Sequence, residues 1–417
     1  MVVEWNFISI VFGIVFLLQL AFAIGMEMLN RRHLVEKGSD IPESMKEYVD
    51  RDKLMRMNQY NLDTSNLHII KKLTGDSLLL AAILFGLFPW VGGFFTSYSY
   101  VVAGLCFFLA LGAISFALDL PFDYYATFIL EEKYGFNRTD IKTWLLDNVK
   151  SIGISAVFAA IIIGPLLWSI QFSPDYWWLL GFVIVAAIQF FLIILYPVLI
   201  APLFNKFEPL SDAELAEKIE TLVRETGMRT EGIFRMDAGK RSTHSNAYFT
   251  GLGKTKRVVL FDTLIDTHTQ DEILGVLAHE LGHFKMNHVL KSYLLSLATT
   301  LILFYATYLV LNWPFMYETF HLNPASNYVA LVIVAIFWRK AGYFLRPVGA
   351  AISRRFERSA DAFALRLLMN SAPLATALKK LAGHNLSNLN PHPFYVWFYY
   401  SHPPLRERVE YLESAGI

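Results

Sequence analysis

Seven apolar stretches, at 5–29, 77–97, 101–121, 151–170, 177–200, 291–313 and 328–349, constrain this chain more than any other feature. Each has the roughly 20 apolar residues that a helix needs to cross a hydrocarbon core. In lipid every backbone N–H and C=O must be satisfied within the segment, so such stretches become helices rather than loops or open sheets. The composition agrees: 55% of the 417 residues are hydrophobic and only 17% charged, more apolar surface than a soluble protein of this length requires. The second and third stretches meet at Ser97-Tyr98-Ser99-Tyr100, which predicts a tight hairpin turn. The seventh contains Trp338, Arg339, Lys340 and Arg346, so its inner half is expected to face protein or water rather than lipid. The first lacks a basic leader and is too long for a cleaved signal, so it reads as a retained span.

Charge orients the bundle. The tail 1–4 and the turns 98–100, 171–176 and 314–327 carry no Lys or Arg. The segment after the first span holds Arg31, Arg32, Lys37, Lys46, Arg51, Lys53, Arg56, Lys71 and Lys72. By the positive-inside rule the N-terminus lies outside or in a lumen and the C-terminus in the cytosol, as an odd number of spans requires. The 36 basic and 36 acidic residues cancel, which gives no basic footprint for a nucleic acid. The lone Cys106 excludes an internal disulfide framework and a Cys-rich zinc ribbon.

The expected organisation is therefore a membrane all-α bundle with a cytosolic α+β domain. Residues 1–203 hold spans one to five and 291–349 hold spans six and seven. Residues 204–290 form a mixed cytosolic segment, and 350–417 a polar-faced helical one. Within 204–290, Asp212–Thr226 reads as a helix. Ser245–Thr250 and Arg257–Phe261 flank Gly-Leu-Gly-Lys-Thr and read as a β-hairpin.

The chemistry lies just before the sixth stretch. Thr269-Gln-Asp-Glu272 is a capping-box start for a helix that carries Leu277-Ala-His-Glu-Leu-Gly-His283. Four residues turn a helix by about 400°, so His279 and His283 share one face and can offer two imidazoles to one Zn²⁺. Glu280, roughly 100° around the axis, sits beside the metal rather than on it, where it can take a proton from the attacking water. A catalytic zinc needs a third protein ligand and an open position. His288 falls on another face and Cys106 lies in a span, which favours a distant carboxylate. In Phe356-Glu-Arg-Ser-Ala-Asp361, Glu357 and Asp361 lie one turn apart on an apolar face. Glu357 then becomes the third ligand, with Asp361 holding a ligand imidazole. Spacing alone leaves open an exposed carboxylate pair among Arg354, Arg355 and Arg358.

At this point the chain resembles the type 1 CAAX prenyl proteases. The matching segments are Phe128–Thr139 (FILEEKYGFNRT), Ala201–Phe207 (APLFNKF), Ser245–Gly251 (SNAYFTG) and Val258–Leu264 (VVLFDTL). The His279 motif, the Glu357/Asp361 motif and Tyr400–Arg408 (YSHPPLRER) follow in order. The resemblance implies a ring of seven tilted helices around an internal water-filled chamber. It also implies one Zn²⁺ on His279, His283 and Glu357, with Glu280 as general base. It further implies that Asn246, with Phe249 on the same strand, contacts an extended substrate, and that His402 stands near the tetrahedral intermediate. The substrate would be a peptide or prenylated protein presented from membrane lipid. Read from their neighbours alone, Asn246 is equally a turn residue and His402 a structural histidine. The compact loops and the absence of a retrieval signal lean towards a bacterial inner-membrane member over one of the endoplasmic reticulum. A heat-shock-type quality-control metalloprotease shares the zinc motif but has fewer spans. A zinc-stabilised channel would have no use for Glu280.

Overall fold

The computed structural model describes residues 3–251 and 255–415; the hairpin connection at 252–254 lies outside them. Six helices are long and apolar enough to cross a membrane: Phe7–Lys37, Tyr100–Glu131, Ile141–Phe172, Trp177–Phe204, His288–Leu311 and the run within Pro324–Leu368. Arg51–Leu84 and Leu87–Gly93 make a seventh if the bent pair is counted as one span. Several helices start where a short polar side chain can cap them. Asn6, Asp50, Asp140 and Asp212 each accept a hydrogen bond from a backbone N–H of the first turn.

Two sequence expectations need correction. The stretch 77–97 is not one straight span: its two helices meet at 64°. Gly86 takes a left-handed conformation there (φ 72°), and Pro89 cannot donate back to the preceding turn. The basic segment after the first span is not a simple loop either. Phe7–Lys37 and Arg51–Leu84 extend well beyond their apolar portions. Around them, Met45, Val49, Leu54 and Met57 pack with Leu130, Tyr134, Phe136, Leu386 and Leu389 in a core of their own. The seventh stretch is helix Asn327–Gly342, then a tight turn Tyr343–Leu345, then helix Arg346–Leu368, which leaves the bundle and packs against helix Gln270–Lys285.

The bundle encloses a cavity of about 1890 Å³ lined mostly by apolar side chains of these helices. In its wall, Asp76 Oδ2 meets Lys340 Nζ at 2.6 Å and Lys72 Nζ at 2.9 Å. Lys340 Nζ also donates to Gln19 Oε1 (2.9 Å) and lies 4.1 Å from the Phe16 ring centroid. Three helices are tied together by these groups.

The part of the chain outside the bundle holds a four-stranded mixed sheet, β1 (Phe207–Pro209), β2 (Arg229–Met236), β3 (Ala247–Thr250) and β4 (Thr255–Phe261), in the order β1-β2-β4-β3. The expected hairpin is present, with Ala247 opposite Leu260 and Phe249 opposite Val258. β4 also pairs parallel with β2 (Ile233 with Val258), which leaves β3 as an edge. Helices Ala213–Glu225 and Gln270–Lys285 cover the sheet over a core that includes Leu215, Ile219, Val258, Leu260 and Leu277.

Removing Asp76 strands Lys340, which is 3% exposed, without its counter-charge. Asp76→Ala is expected to cost about 3–5 kcal/mol, the usual range for breaking a buried pair. A lowered Tm in detergent would report it, and the double change Asp76→Leu with Lys340→Met should recover most of the loss.

Candidate active site

Helix Gln270–Lys285 begins as its sequence predicts. Thr269 Oγ1 accepts from the Glu272 N–H (3.3 Å) and Glu272 Oε2 accepts from the Thr269 N–H (2.9 Å). Glu272 is buried, and Lys380 Nζ at 2.8 Å balances its charge. Two turns on, His279 and His283 project from one face with their Nε2 atoms 3.2 Å apart.

Helix Arg346–Leu368 crosses this helix at Gly282. A Cβ there would stand 3.0 Å from Ala360 Cα and 3.2 Å from Ala360 O, tighter than ordinary contact, so glycine lets the two helices approach this closely without a shift. Ala360 is small and fully buried at the same contact. The close crossing carries Glu357 to the histidine pair: Oε2 lies 3.3 Å from His279 Nε2 and Oε1 3.3 Å from His283 Nε2. One ligating atom from each of the three residues falls within 4.8 Å of the others. Glu357 and Asp361 are 4% and 1% exposed, so the exposed-pair alternative does not hold.

The residues fit a metal ion. Glu357 Oε2 is buried without a hydrogen-bond donor, and the two Nε2 lone pairs converge on the same space. A cation would satisfy all three at once. Asp361 Oδ1 sits 2.8 Å from His279 Nδ1 and can accept its proton, leaving Nε2 free to ligate. Arg408 then clamps Asp361 from behind, Nε to Oδ2 at 2.8 Å and Nη2 to Oδ1 at 2.7 Å. Burial pulls the His279 pKa down, but pairing with Asp361 and Glu357 outweighs it and lifts the value to about 9. Burial raises the Glu280 carboxyl above its usual value, the direction a general base needs.

Residues 30–206 match the family model described as CAAX prenyl protease N-terminal, five membrane helices, and residues 209–415 match peptidase family M48. The chain is 34% identical to a CAAX prenyl protease 1 homolog from Oryza sativa, covering 92% of this chain and 93% of the relative. It is 33% identical to CAAX prenyl protease 1 of Saccharomyces cerevisiae, covering 95% and 93%. This chain belongs to the CAAX prenyl protease 1 family. The crystal structure of S. mikatae Ste24p superposes with a TM-score of 0.90 at 31% identity, over 97% of this chain and 98% of that one. Family membership makes the chain a metalloprotease, and the six or seven apolar helices make it a multi-pass membrane protein. The fewer-span heat-shock alternative does not account for a match along nearly the whole chain.

Within this CAAX prenyl protease fold, His402 reaches the carboxylate from the open side. Its Nε2 is 3.2 Å from Glu357 Oε1, its Nδ1 meets Ser401 Oγ at 2.9 Å, and its side chain is 59% exposed. Asn246 is exposed at the head of β3. Its Oδ1 accepts from the Ala247 N–H (2.8 Å) and its carbonyl accepts from the Phe261 N–H (3.1 Å). Phe249, by contrast, turns its side chain into the core against Phe284, with ring centroids 6.0 Å apart. Side-chain alternation along β3 dictates this, since Ala247 and Phe249 share the inner face. Any contact between Phe249 and a peptide therefore runs through its main chain.

Sequence reasoning missed two residues here. Helical spacing puts His288 on another face, but Asn287 adopts a left-handed conformation (φ 55°) that ends one helix and swings the next. His288 Nδ1 thereby comes 3.1 Å from His283 Nδ1 and its ring stacks on Phe356. It orients His283 as Asp361 orients His279. Arg408, at the end of the Tyr400 segment, carried no signal beyond its place in that motif. Asp361→Ala should lower metal affinity about 10- to 100-fold, as loss of a ligand's hydrogen-bond partner does; competition with a chromophoric chelator measures it.

Proposed function

We propose that this chain is a zinc-dependent endopeptidase that removes C-terminal tripeptides from prenylated proteins or peptides. The convergence of His279, His283 and Glu357 at the foot of a helix that also walls the membrane cavity is the observation that carries this reading. The relatives named as CAAX prenyl proteases supply the substrate class. When bound, zinc supplies Lewis-acid activation of the attacking water and of the scissile carbonyl.

The chain's own residues do the remainder. Glu280, raised by burial, takes the proton of the attacking water and delivers it to the leaving amine. His402, exposed beside Glu357, donates toward the oxygen on which charge develops. Asp361 and Arg408 hold His279 in its ligating tautomer. β3 offers an unpaired edge headed by Asn246, to which an extended peptide adds by main-chain hydrogen bonds with little side-chain readout. We infer that the N-terminus is lumenal or external and the C-terminus cytosolic, so that the site meets cytosolic substrate at the membrane.

Glu280→Gln should retain metal and fold while losing about 10²- to 10⁴-fold in kcat on a farnesylated peptide. Activity within tenfold of wild type would remove Glu280 from the general-base role. The lipid supplies about 0.8 kcal/mol per buried CH₂ toward membrane capture. The bare peptide is therefore expected to differ chiefly by a raised KM; an equal KM with a fallen kcat would mean that the lipid aligns the scissile bond instead.

A further inference from the structure

The helix that delivers Glu357 begins at the cavity. Arg346 and Glu357 lie on the uninterrupted helix Arg346–Leu368, eleven residues apart. That spacing is about 16 Å of rise and very nearly three full turns, so the two residues face the same way. Arg346 is exposed on the cavity wall. Among the described residues it pairs with no carboxylate; its guanidinium rests over the Tyr399 ring, 4.7 Å from the centroid.

The neighbouring anions are already engaged. Glu27 accepts from the hydroxyls of Ser65 (2.9 Å) and Tyr395 (2.8 Å). Asp76 is held by Lys72 and Lys340, and Asp119 by Lys71. Arg346 thus presents an available planar fork of donors, the group best suited to a carboxylate.

The segment Tyr399–His402, at the end of helix Pro393–Tyr399, marks the same interval. Tyr399 lies under Arg346, Tyr400 O accepts from Arg354 Nη1 (2.6 Å), and His402 reaches Glu357 (3.2 Å). The backbone from Tyr399 to His402 therefore runs beside the helix from the guanidinium to the metal seat, in three residue steps. Three extended residues cover at most about 10–11 Å. Within a span of about 16 Å, that leaves about 5 Å for the contacts at the two ends.

We propose that Arg346 binds the C-terminal carboxylate of the substrate and, by its distance from Glu357, fixes the cut three residues from that end. The proposal rests on the tripeptide-releasing activity set out above. Arg339 faces the same cavity but sits eighteen residues from Glu357. It lies on the preceding helix, beyond the turn Tyr343–Leu345, and so outside the single helix that sets the Arg346–Glu357 interval.

The test uses the full-length, zinc-loaded protein in detergent and two farnesylated peptides identical except for a C-terminal carboxylate or carboxamide. Wild type should prefer the carboxylate by about ten- to hundredfold in kcat/KM, the scale of one charge-assisted contact. In Arg346→Gln the carboxylate-to-amide ratio should fall to near one, whereas Arg339→Gln should keep the wild-type ratio. Arg346→Lys, which retains the charge, should keep part of the preference and guards against a glutamine variant that fails to fold. A preference unchanged in Arg346→Gln, or a wild type indifferent to the terminal group, would overturn the assignment. A wild type inactive on the farnesylated carboxylate would instead sink the substrate reading, and this proposal with it.

Discussion

The metal seat depends on one close contact, the crossing of helices Gln270–Lys285 and Arg346–Leu368 over Gly282 and Ala360. Two histidines on a helix fix only half of a three-ligand site. The third ligand comes from a residue 74 positions beyond His283, and its reach is set by how nearly two backbones approach. A Cβ at 282 would meet the Ala360 main chain rather than the tip of a flexible side chain. Main chain gives less readily than a side-chain tip, so a larger residue at 282 would press on the crossing by a few tenths of an ångström and strain the seat of Glu357. The polar layer beyond follows from this geometry. Once Glu357 is seated, Asp361, one turn on, falls under His279, and Arg408 closes the buried charge that would otherwise be unpaired.

That crossing also joins the two halves of the molecule. The helix that supplies Glu357 and Asp361 continues the wall of the membrane cavity, with only the tight turn Tyr343–Leu345 between them. Just before that turn, Lys340 in the last turn of helix Asn327–Gly342 is tied to Asp76 and Gln19 on two other helices. A charged side chain inside a bundle is costly unless paired, so the pairing holds the wall in one register. The helix that the bundle fixes is thus joined, through that one turn, to the helix that carries the carboxylates.

Much of this was legible in the sequence because local rules and tertiary packing agree there. The capping box at Thr269, the shared face of His279 and His283, the hairpin around Ser245–Phe261 and the apolar spans all rest on periodicity or on turn chemistry. What was missed depends on single backbone angles or on distant contacts. Gly86 reads as one more small residue in an apolar run, yet its positive φ breaks the span. Asn287 likewise redirects the chain and brings His288 to His283, which no helical wheel drawn through both can show. Arg408 faces Asp361 only because the last helix, Leu405–Ala415, docks on the peptidase core. Phe249 illustrates the converse: alternation along Ala247–Thr250 would have assigned its side chain inward had the core face been known.

The exposure of the site grades in one direction, and this bears on how it can turn over. His279 and Asp361 are buried, His283 is half-buried, and His402 is exposed. One side of the seat is therefore closed by groups that lock the ligands, while the other opens toward the segment that carries His402. A catalytic metal needs this asymmetry, since a site closed all round has no position left for water or substrate. The buried side excludes solvent and keeps the Asp361–Arg408 pair strong, because an ion pair screened by water would orient His279 only weakly. The open side holds the groups that must exchange partners in each cycle, and for that reason their contacts are the fewer and the more exposed.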